Sequence, residues 1–190
     1  GYSAAGEGGF APSRALDMSV PHAAGALIGT VGDLAKWAHA LHHGKVVTPA
    51  LYAEMIAPTA LPGGESAPYG YGLGLSNVRG LPAIGHGGGI FGFSTNSVYV
   101  PEKDLFVAVF ANMDSGPVPT DIAMLRLAAE AIGKPFPTFA KASFDAAALA
   151  PAFGVYRIEG GETLRRFYLR DGQLYTRRDG AGESPVFAAG

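Results

Sequence analysis

The chain of 190 residues contains no cysteine. This absence excludes disulfide bonds, zinc sites with thiolate ligands and thiol nucleophiles. Only 16% of the residues are charged and the net charge is -2, so no broad basic surface favours nucleic acid as a partner. No apolar run approaches the length of about 18 residues typical of a spanning helix, so we expect no membrane insertion. A small molecule or a peptide is the expected ligand.

The composition has enough apolar material for one core and a small appendage, since 48% of the residues are hydrophobic. The chain begins at Gly1 without an initiator methionine and stops without an evident terminal element. We therefore expect it to be a piece of something longer.

Helical and strand patterns predict an α+β fold in residues 1–137, with an antiparallel sheet flanked by helices. The predicted elements are a helix from the N-cap Thr30 to Gly44, a helix from Thr48 to Pro58, a strand-like run over 69–75, a hairpin of strands 94–100 and 105–111, and a helix from about Thr120 to Ile132. Residues 1–21 lack periodicity and are expected to be loop-like. Periodic placement assigns Trp37, Phe106, Phe110 and Met124 to the core.

A second module is predicted over residues 138–190, where the composition shifts. Six of the nine arginines fall between Arg157 and Arg178, and turn signals at Gly160-Gly161 and Asp171-Gly172 separate short apolar runs. This pattern predicts a β-meander. We expect its arginines to form a solvated face with acidic partners on neighbouring strands.

The stretch Gly85-His86-Gly87-Gly88-Gly89 is the strongest candidate for a functional site. Glycines this dense lose backbone entropy on folding, which indicates a close approach to the main chain. A histidine beside bare backbone N–H groups suits a carboxylate or a developing oxyanion. The alternative is a loop histidine without a functional role, whose ring hydrogen-bonds to nearby backbone.

Three features in fixed order resemble the serine beta-lactamase and penicillin-binding-protein-like hydrolases, above all the branch related to class C beta-lactamases, D-aminopeptidases and esterases. They are the segment 24–34, the run 69–74, and His86-Gly87-Gly88 followed by the hairpin over 99–112. The last matches the H-x-G form of the family's K-T-G element. The resemblance covers roughly residues 20–133, and residues 153–175 are similar to the opening strands of a lipocalin-like barrel that some of these hydrolases append.

The resemblance implies roles for individual residues. His86 would be the polar or cationic catalytic group that faces the substrate, and Gly89 would supply an oxyanion-hole N–H. Gly87 and Gly88 would let the substrate approach the backbone. Because alternate residues of a strand face opposite sides, we expect one of Phe91 and Phe93 to line the cleft mouth and the other to pack inward, and Phe91 is the candidate for substrate contact. The family implies acyl-enzyme hydrolysis of an amide, beta-lactam or ester without metal or cofactor, and favours a periplasmic or secreted location.

Two family motifs are absent from the chain. No serine is followed by lysine three positions later, so the S-x-x-K nucleophile is missing, and no tyrosine has asparagine two positions on. Ser94-Thr95-Asn96 fits S-x-N by its letters, but it follows His86 in the chain. We expect the chain to be inactive alone and to need the missing N-terminal half of the same protein as a partner.

Three alternatives remain open at the sequence level. A non-catalytic binding or sensor module would keep this fold without the nucleophile. A purely structural fragment would self-associate through a hydrophobic sheet face that lacks its covering helices. His39, His42 and His43 have helical spacings that suit a metal, but no carboxylate completes the set locally. We therefore expect a solvated polar helix face rather than a metal site.

Overall fold

The computed structural model describes residues 1–157 and 159–189. Contacts divide the chain into two compact units, Gly1–Phe136 and Pro137–Gly190. Within the described residues no helix is long and apolar enough to cross a membrane.

The first unit carries four helices and eight strands. They are β1 (Tyr2–Ala5), β2 (Gly9–Pro12), α1 (His22–Gly25), α2 (Val31–His42), α3 (Pro49–Met55), β3 (Thr59–Ala60), β4 (Ser66–Ala67), β5 (Gly74–Val78), β6 (Leu81–Ile90), β7 (Phe93–Val100), β8 (Leu105–Ala111) and α4 (Thr120–Ala131). The main sheet is antiparallel in the order β5-β6-β7-β8. Two small hairpins, β1-β2 and β3-β4, complete the unit.

Helices α2 and α3 begin where the sequence predicts, because each has a hydroxyl side chain as N-cap. Thr30 Oγ1 accepts a hydrogen bond from the Asp33 N–H, and the Asp33 carboxylate accepts one from the Thr30 N–H, which makes a capping box. Thr48 Oγ1 accepts from the Leu51 N–H and Pro49 occupies the first turn of α3. Each such cap stabilises a helix by about 1 kcal/mol.

The core lies between the sheet and α4. Val98 and Val100 of β7 are almost fully buried and pack with Met124 and Ala128 of α4. Because side chains alternate along a strand, Tyr99 points to the opposite face, where its ring stacks on His42 of α2. The sheet thus has α4 on one face and α2 on the other, and the two strands 94–100 and 105–111 are confirmed as a hairpin.

Four expectations about the first unit are wrong in detail. Trp37 is 53% exposed, because α2 meets the sheet through Ala38, Leu41 and His42 and turns Trp37 away. Phe110 is also partly exposed, at 41%, on the face of the sheet that bears Tyr99. In the run 69–75 the strand begins only at Gly74, and the supposed loop 1–21 contains the β1-β2 hairpin.

The second unit contains an open four-stranded antiparallel sheet. Its elements are β9 (Lys141–Ala142), α5 (Ala146–Leu149), β10 (Gly154–Arg157), β11 (Leu164–Arg170), β12 (Gln173–Arg178), β13 (Glu183–Val186) and β14 (Ala188–Ala189). The sheet order β10-β11-β12-β13 is a meander, as the turn signals predict. Arg170 pairs with Glu183, which also accepts from the Tyr168 hydroxyl, so an arginine of this unit has an acidic partner two strands away. The likeness to a lipocalin barrel stays a prediction.

The sheet–α4 packing generates a stability prediction. Met124→Ala should lower the free energy of unfolding of the first unit by about 2–5 kcal/mol, because it removes a buried side chain and leaves a cavity. Leu127→Ala, on the same helix but 54% exposed, should change it by less than about 0.5 kcal/mol. Urea unfolding followed by the fluorescence of Trp37, the one tryptophan, measures both. Equal losses in the two variants would contradict this packing.

Candidate active site

Among the described residues, strand β6 has a partner strand on both sides only at Ile84 and Gly85. β5 pairs with residues 81–85 of β6, whereas β7 pairs with residues 84–90. The chain before β5 turns away, because the Gly70 N–H donates to the Leu73 carbonyl and Gly72 takes a φ of 72°. In the described part of the chain, no strand follows β6 along this edge from His86 to Ile90.

Two-residue loops at both ends of β6 determine which neighbour each backbone group faces. Loop 79–80 closes the β5-β6 hairpin and loop 91–92 closes the β6-β7 hairpin. In a hairpin with a two-residue loop, the residues that flank the loop form a hydrogen-bonded pair. Val78 is therefore hydrogen-bonded to Leu81, and Ile90 to Phe93. Such pairs alternate along an antiparallel ladder. Odd-numbered residues of β6 therefore direct their N–H and C=O groups toward β5, and even-numbered residues direct them toward β7. Residues 87 and 89 lie beyond the end of β5, so their N–H groups point into the open edge.

His86 is the first residue of β6 along this open edge, and its side chain is exposed. Its Nε2 is 2.8 Å from the Tyr69 hydroxyl oxygen, and its Nδ1 is 2.5 Å from the Gly87 carbonyl oxygen. The two rings meet edge to face with centroids 5.7 Å apart. Tyr69, which the strand-like pattern around it did not single out, is therefore the side chain that hydrogen-bonds to the histidine ring.

The glycines near His86 differ in how much room a side chain would have at each position. A Cβ at Gly85 would lie 2.1 Å from the Ser97 carbonyl oxygen, and one at Gly87 would lie 2.4 Å from Asn96 Oδ1. Asn96 in turn donates to Thr120 Oγ1 at the start of α4, so Gly87 makes room for a link between sheet and helix. A Cβ at Gly85 would thus collide with backbone, whereas one at Gly87 would displace the Asn96 side chain from its link to Thr120. At Gly89 the nearest atom to a Cβ is 3.9 Å away, so a Cβ there would have room.

A cavity of about 460 Å³ lies at the end of β6. It is lined by Leu16, Val20, Pro21, Gly89, Ile90, Phe91, Phe93, Ser94 and Asp114. Of the predicted site residues, Gly89 and Phe91 are in this lining, whereas His86, Gly87 and Gly88 are not. Both Phe91 and Phe93 line it, rather than only one of them as expected, and the Arg14 guanidinium lies 3.6 Å from the centroid of the Phe91 ring.

Asp114 binds the loop of the β6-β7 hairpin beside this cavity. The sequence motifs did not identify this residue as part of the site. Its carboxylate accepts hydrogen bonds from the Ser3 hydroxyl at 2.5 Å, the Gly92 N–H at 2.8 Å and the Ser115 hydroxyl at 3.0 Å. These bonds, the one from Ser3 above all, lower the pKa of Asp114. The N-terminal strand and the β6-β7 turn are therefore tied to one ionised side chain.

His42, Tyr52 and Tyr99 form a packed cluster at the C-terminal end of α2, whereas His39 and His43 are exposed, as expected for a solvated helix face. His42 is half-buried, stacks on the Tyr99 ring at 4.0 Å and places Nδ1 2.7 Å from the Tyr52 hydroxyl. His43 stacks on His39, and its Nε2 lies 3.1 Å from a carboxylate oxygen of Asp104 in the β7-β8 turn.

The buried parts of this cluster have shifted pKa values. Burial lowers the pKa of His42, and the neighbouring His43 lowers it further. Burial together with Asp104 raises the pKa of Tyr99 to about 12. Within residues 1–157 and 159–189, no group of three or more histidine, aspartate or glutamate side chains is arranged to hold a metal ion.

Comparisons with known proteins agree with the resemblance seen in the sequence. A family model described as beta-lactamase matches residues 1–131. A D-aminopeptidase from Gluconobacter oxydans (strain 621H) is 26% identical over 136 residues, which are 72% of this chain and 25% of that protein. A D-aminopeptidase from Cereibacter sphaeroides (strain ATCC 17029 / ATH 2.4.9) is 32% identical over 87 residues, 46% of this chain and 16% of that protein.

A solved structure shares the fold. The octameric penicillin-binding protein homologue from Pyrococcus abyssi has a TM-score of 0.50 and 24% identity, over 84% of this chain and 37% of that one. The chain spans a quarter or less of the length of the two D-aminopeptidases that it matches.

The cluster of His42, Tyr52 and Tyr99 generates a pH prediction. Because the pKa of His42 is lowered in the folded state, the unfolded chain binds the extra proton more readily than the folded chain. The stabilisation by neutral His42 is therefore fully present above pH 6.5. It is lost as the pH falls through the lowered pKa of the folded state. His42→Phe keeps an aromatic ring against Tyr99 without this titration. The stability advantage of the wild type over His42→Phe should therefore shrink between pH 7 and pH 5, as measured by urea unfolding. His39, His43, Asp104, Tyr52 and Tyr99 are common to both proteins, so a pH-independent difference would contradict the assignment.

Proposed function

Because the chain belongs to the beta-lactamase family, we propose that it forms one wall of the active site of a serine hydrolase and supplies an oxyanion-hole N–H. The reaction is acyl-enzyme hydrolysis of an amide, beta-lactam or ester. The similarity to two D-aminopeptidases makes the amide of a D-amino acid the first substrate to test.

The observation that carries the proposal is the open edge of β6 at residues 86–90, which pair with β7 on one side and, in the described ranges, have no partner strand on the side of β5. Acyl transfer creates negative charge on the former carbonyl oxygen, and backbone N–H groups that are already oriented stabilise this charge strongly. The N–H of Gly89 points into the open edge of β6 beside the cavity, and His86 lies three residues earlier on the same strand. In this role His86 contacts the substrate or the reacting groups, while Gly87 and Gly88 leave the edge free of side chains.

The nucleophile must come from polypeptide outside these 190 residues, since S-x-x-K is absent from them. Exposed apolar side chains between residues 20 and 28 indicate a surface that contacts another part of the protein. Leu27 and Ile28, just before α2, are 94% and 95% exposed, and Val20 is 71% exposed. Apolar side chains exposed together in this way are typical of surfaces that another segment covers. We propose that the part of the protein that carries the nucleophile covers this segment.

A second candidate function is a binding or sensor module without catalysis. The observation that favours it is the cavity beside Gly89 and Phe91, which does not include His86 in its lining. Such a module would bind a ligand through the cavity and the open edge and would need no serine. The experiments below distinguish the two functions, because only the hydrolase makes turnover depend on residues of β6.

The first test compares this chain with a longer protein. The 190 residues alone should not hydrolyse a chromogenic beta-lactam, a p-nitrophenyl ester or a D-amino acid p-nitroanilide, because they lack a nucleophile. The protein encoded together with its upstream sequence should hydrolyse at least one of them and should lose this activity in His86→Ala. Turnover by the 190 residues that survives His86→Ala would overturn the proposal. An upstream sequence without serine and lysine in S-x-x-K would favour the binding module.

The second test removes one N–H group. In the longer protein, Gly89→Pro should lower kcat by about 10²–10³-fold, because loss of one oxyanion-hole donor has an effect of that size. The β7 ladder should persist, since this N–H faces the open edge. Gly89→Ala is the matched control, because it keeps the N–H and its Cβ has room, and its kcat should stay within a few-fold of wild type. Equal kcat values in the two variants would remove Gly89 from the oxyanion hole.

A further inference from the structure

We infer that Tyr69 is a positioning residue for His86. Its hydroxyl, together with the Gly87 carbonyl, determines the orientation of the His86 ring and which ring nitrogen carries the proton. This inference rests on the proposed function for its catalytic meaning. The hydrogen-bond geometry on which it depends belongs to the chain itself.

The two hydrogen bonds of His86 define one tautomer. A backbone carbonyl can only accept, so Nδ1, 2.5 Å from the Gly87 carbonyl oxygen, must carry a proton and donate it. In a neutral imidazole the other nitrogen is then unprotonated. Nε2 therefore accepts a hydrogen bond from the Tyr69 hydroxyl at 2.8 Å. With both nitrogens engaged, the ring has a single orientation.

Tyr69 is itself held firmly by backbone contacts. Its carbonyl oxygen accepts from the Thr59 N–H at 3.1 Å and from the Thr59 hydroxyl at 2.6 Å, and it forms an isolated bridge with Gly74 at the start of β5. The next residue, Gly70, lies so close to the end of α3 that a Cβ there would be 1.9 Å from the Met55 carbonyl oxygen. The backbone that carries the Tyr69 side chain is therefore fixed beside His86.

Protonation of His86 reverses the hydrogen bond. A second proton on the ring turns Nε2–H into the donor, and the Tyr69 oxygen then accepts. The Tyr69 hydroxyl proton becomes free to turn to another acceptor. Because Tyr69 is 42% exposed, that acceptor can be a group of the bound substrate. A proton gained at His86 would in this way present a new donor at the open edge of β6 without any covalent change at Tyr69.

The test measures the tautomer directly and needs no substrate. In the ¹⁵N-labelled 190-residue chain, at a pH where His86 is neutral, two-dimensional NMR of the ring nitrogens should show a protonated Nδ1 and an unprotonated Nε2. Tyr69→Phe removes only the hydroxyl. It should move the Nε2 signal toward the protonated type, with a severalfold rise in the Nε2–H form.

Tyr71→Phe is the matched control, since Tyr71 is two residues away and 70% exposed, and it should leave both ring signals unchanged. A wild-type ring protonated at Nε2, or identical ring signals in Tyr69→Phe and wild type, would overturn the inference. If the tautomer responds as expected while the longer protein hydrolyses nothing, the proposed function fails and the Tyr69–His86 inference stands.

Discussion

The turn at residues 70–73 determines where β5 begins. It therefore determines how many residues of β6 have no partner strand on the side of β5. Gly70 lies against the Met55 carbonyl oxygen, which also accepts from the Tyr71 N–H at 3.0 Å, so the end of α3 fixes this turn. Had the chain continued straight, β5 would have paired with the rest of β6 and covered its N–H groups. The same turn brings Tyr69 to His86. One packing constraint thus sets both the open edge and the orientation of the candidate catalytic ring.

The glycine run of β6 combines structural and functional demands. At Gly85 and Gly87 a side chain would collide with β7, so these glycines are explained by the close approach of two strands. At Gly89 no such collision occurs, and the absence of a side chain leaves the edge beside the cavity clear. Glycine density alone therefore does not identify the functional position. The register of the two hairpins does, because it determines which N–H groups have no partner strand.

Local sequence signals predicted the elements that depend on local chemistry. Thr30 and Thr48 mark the starts of α2 and α3 through their own hydroxyl groups, and runs of β-branched and aromatic residues mark β7 and β8. The H-x-G resemblance led to the correct family for residues 1–131. The errors concern tertiary geometry. The exposure of Trp37 depends on which side of α2 meets the sheet, and the ties from Asp114 to Ser3 and from His86 to Tyr69 join residues far apart in sequence. No pattern in one sequence encodes such pairs.

Amide hydrogen exchange along β6, resolved residue by residue by NMR, tests the central claim most directly. The open edge predicts an alternation. The N–H groups of His86 and Gly88, which face β7, should exchange slowly, and those of Gly87 and Gly89 should exchange much faster, because they have no partner strand. Slow exchange at Gly89 together with fast exchange at Gly88 would mean that the register is reversed and that no N–H is available at this edge for an oxyanion.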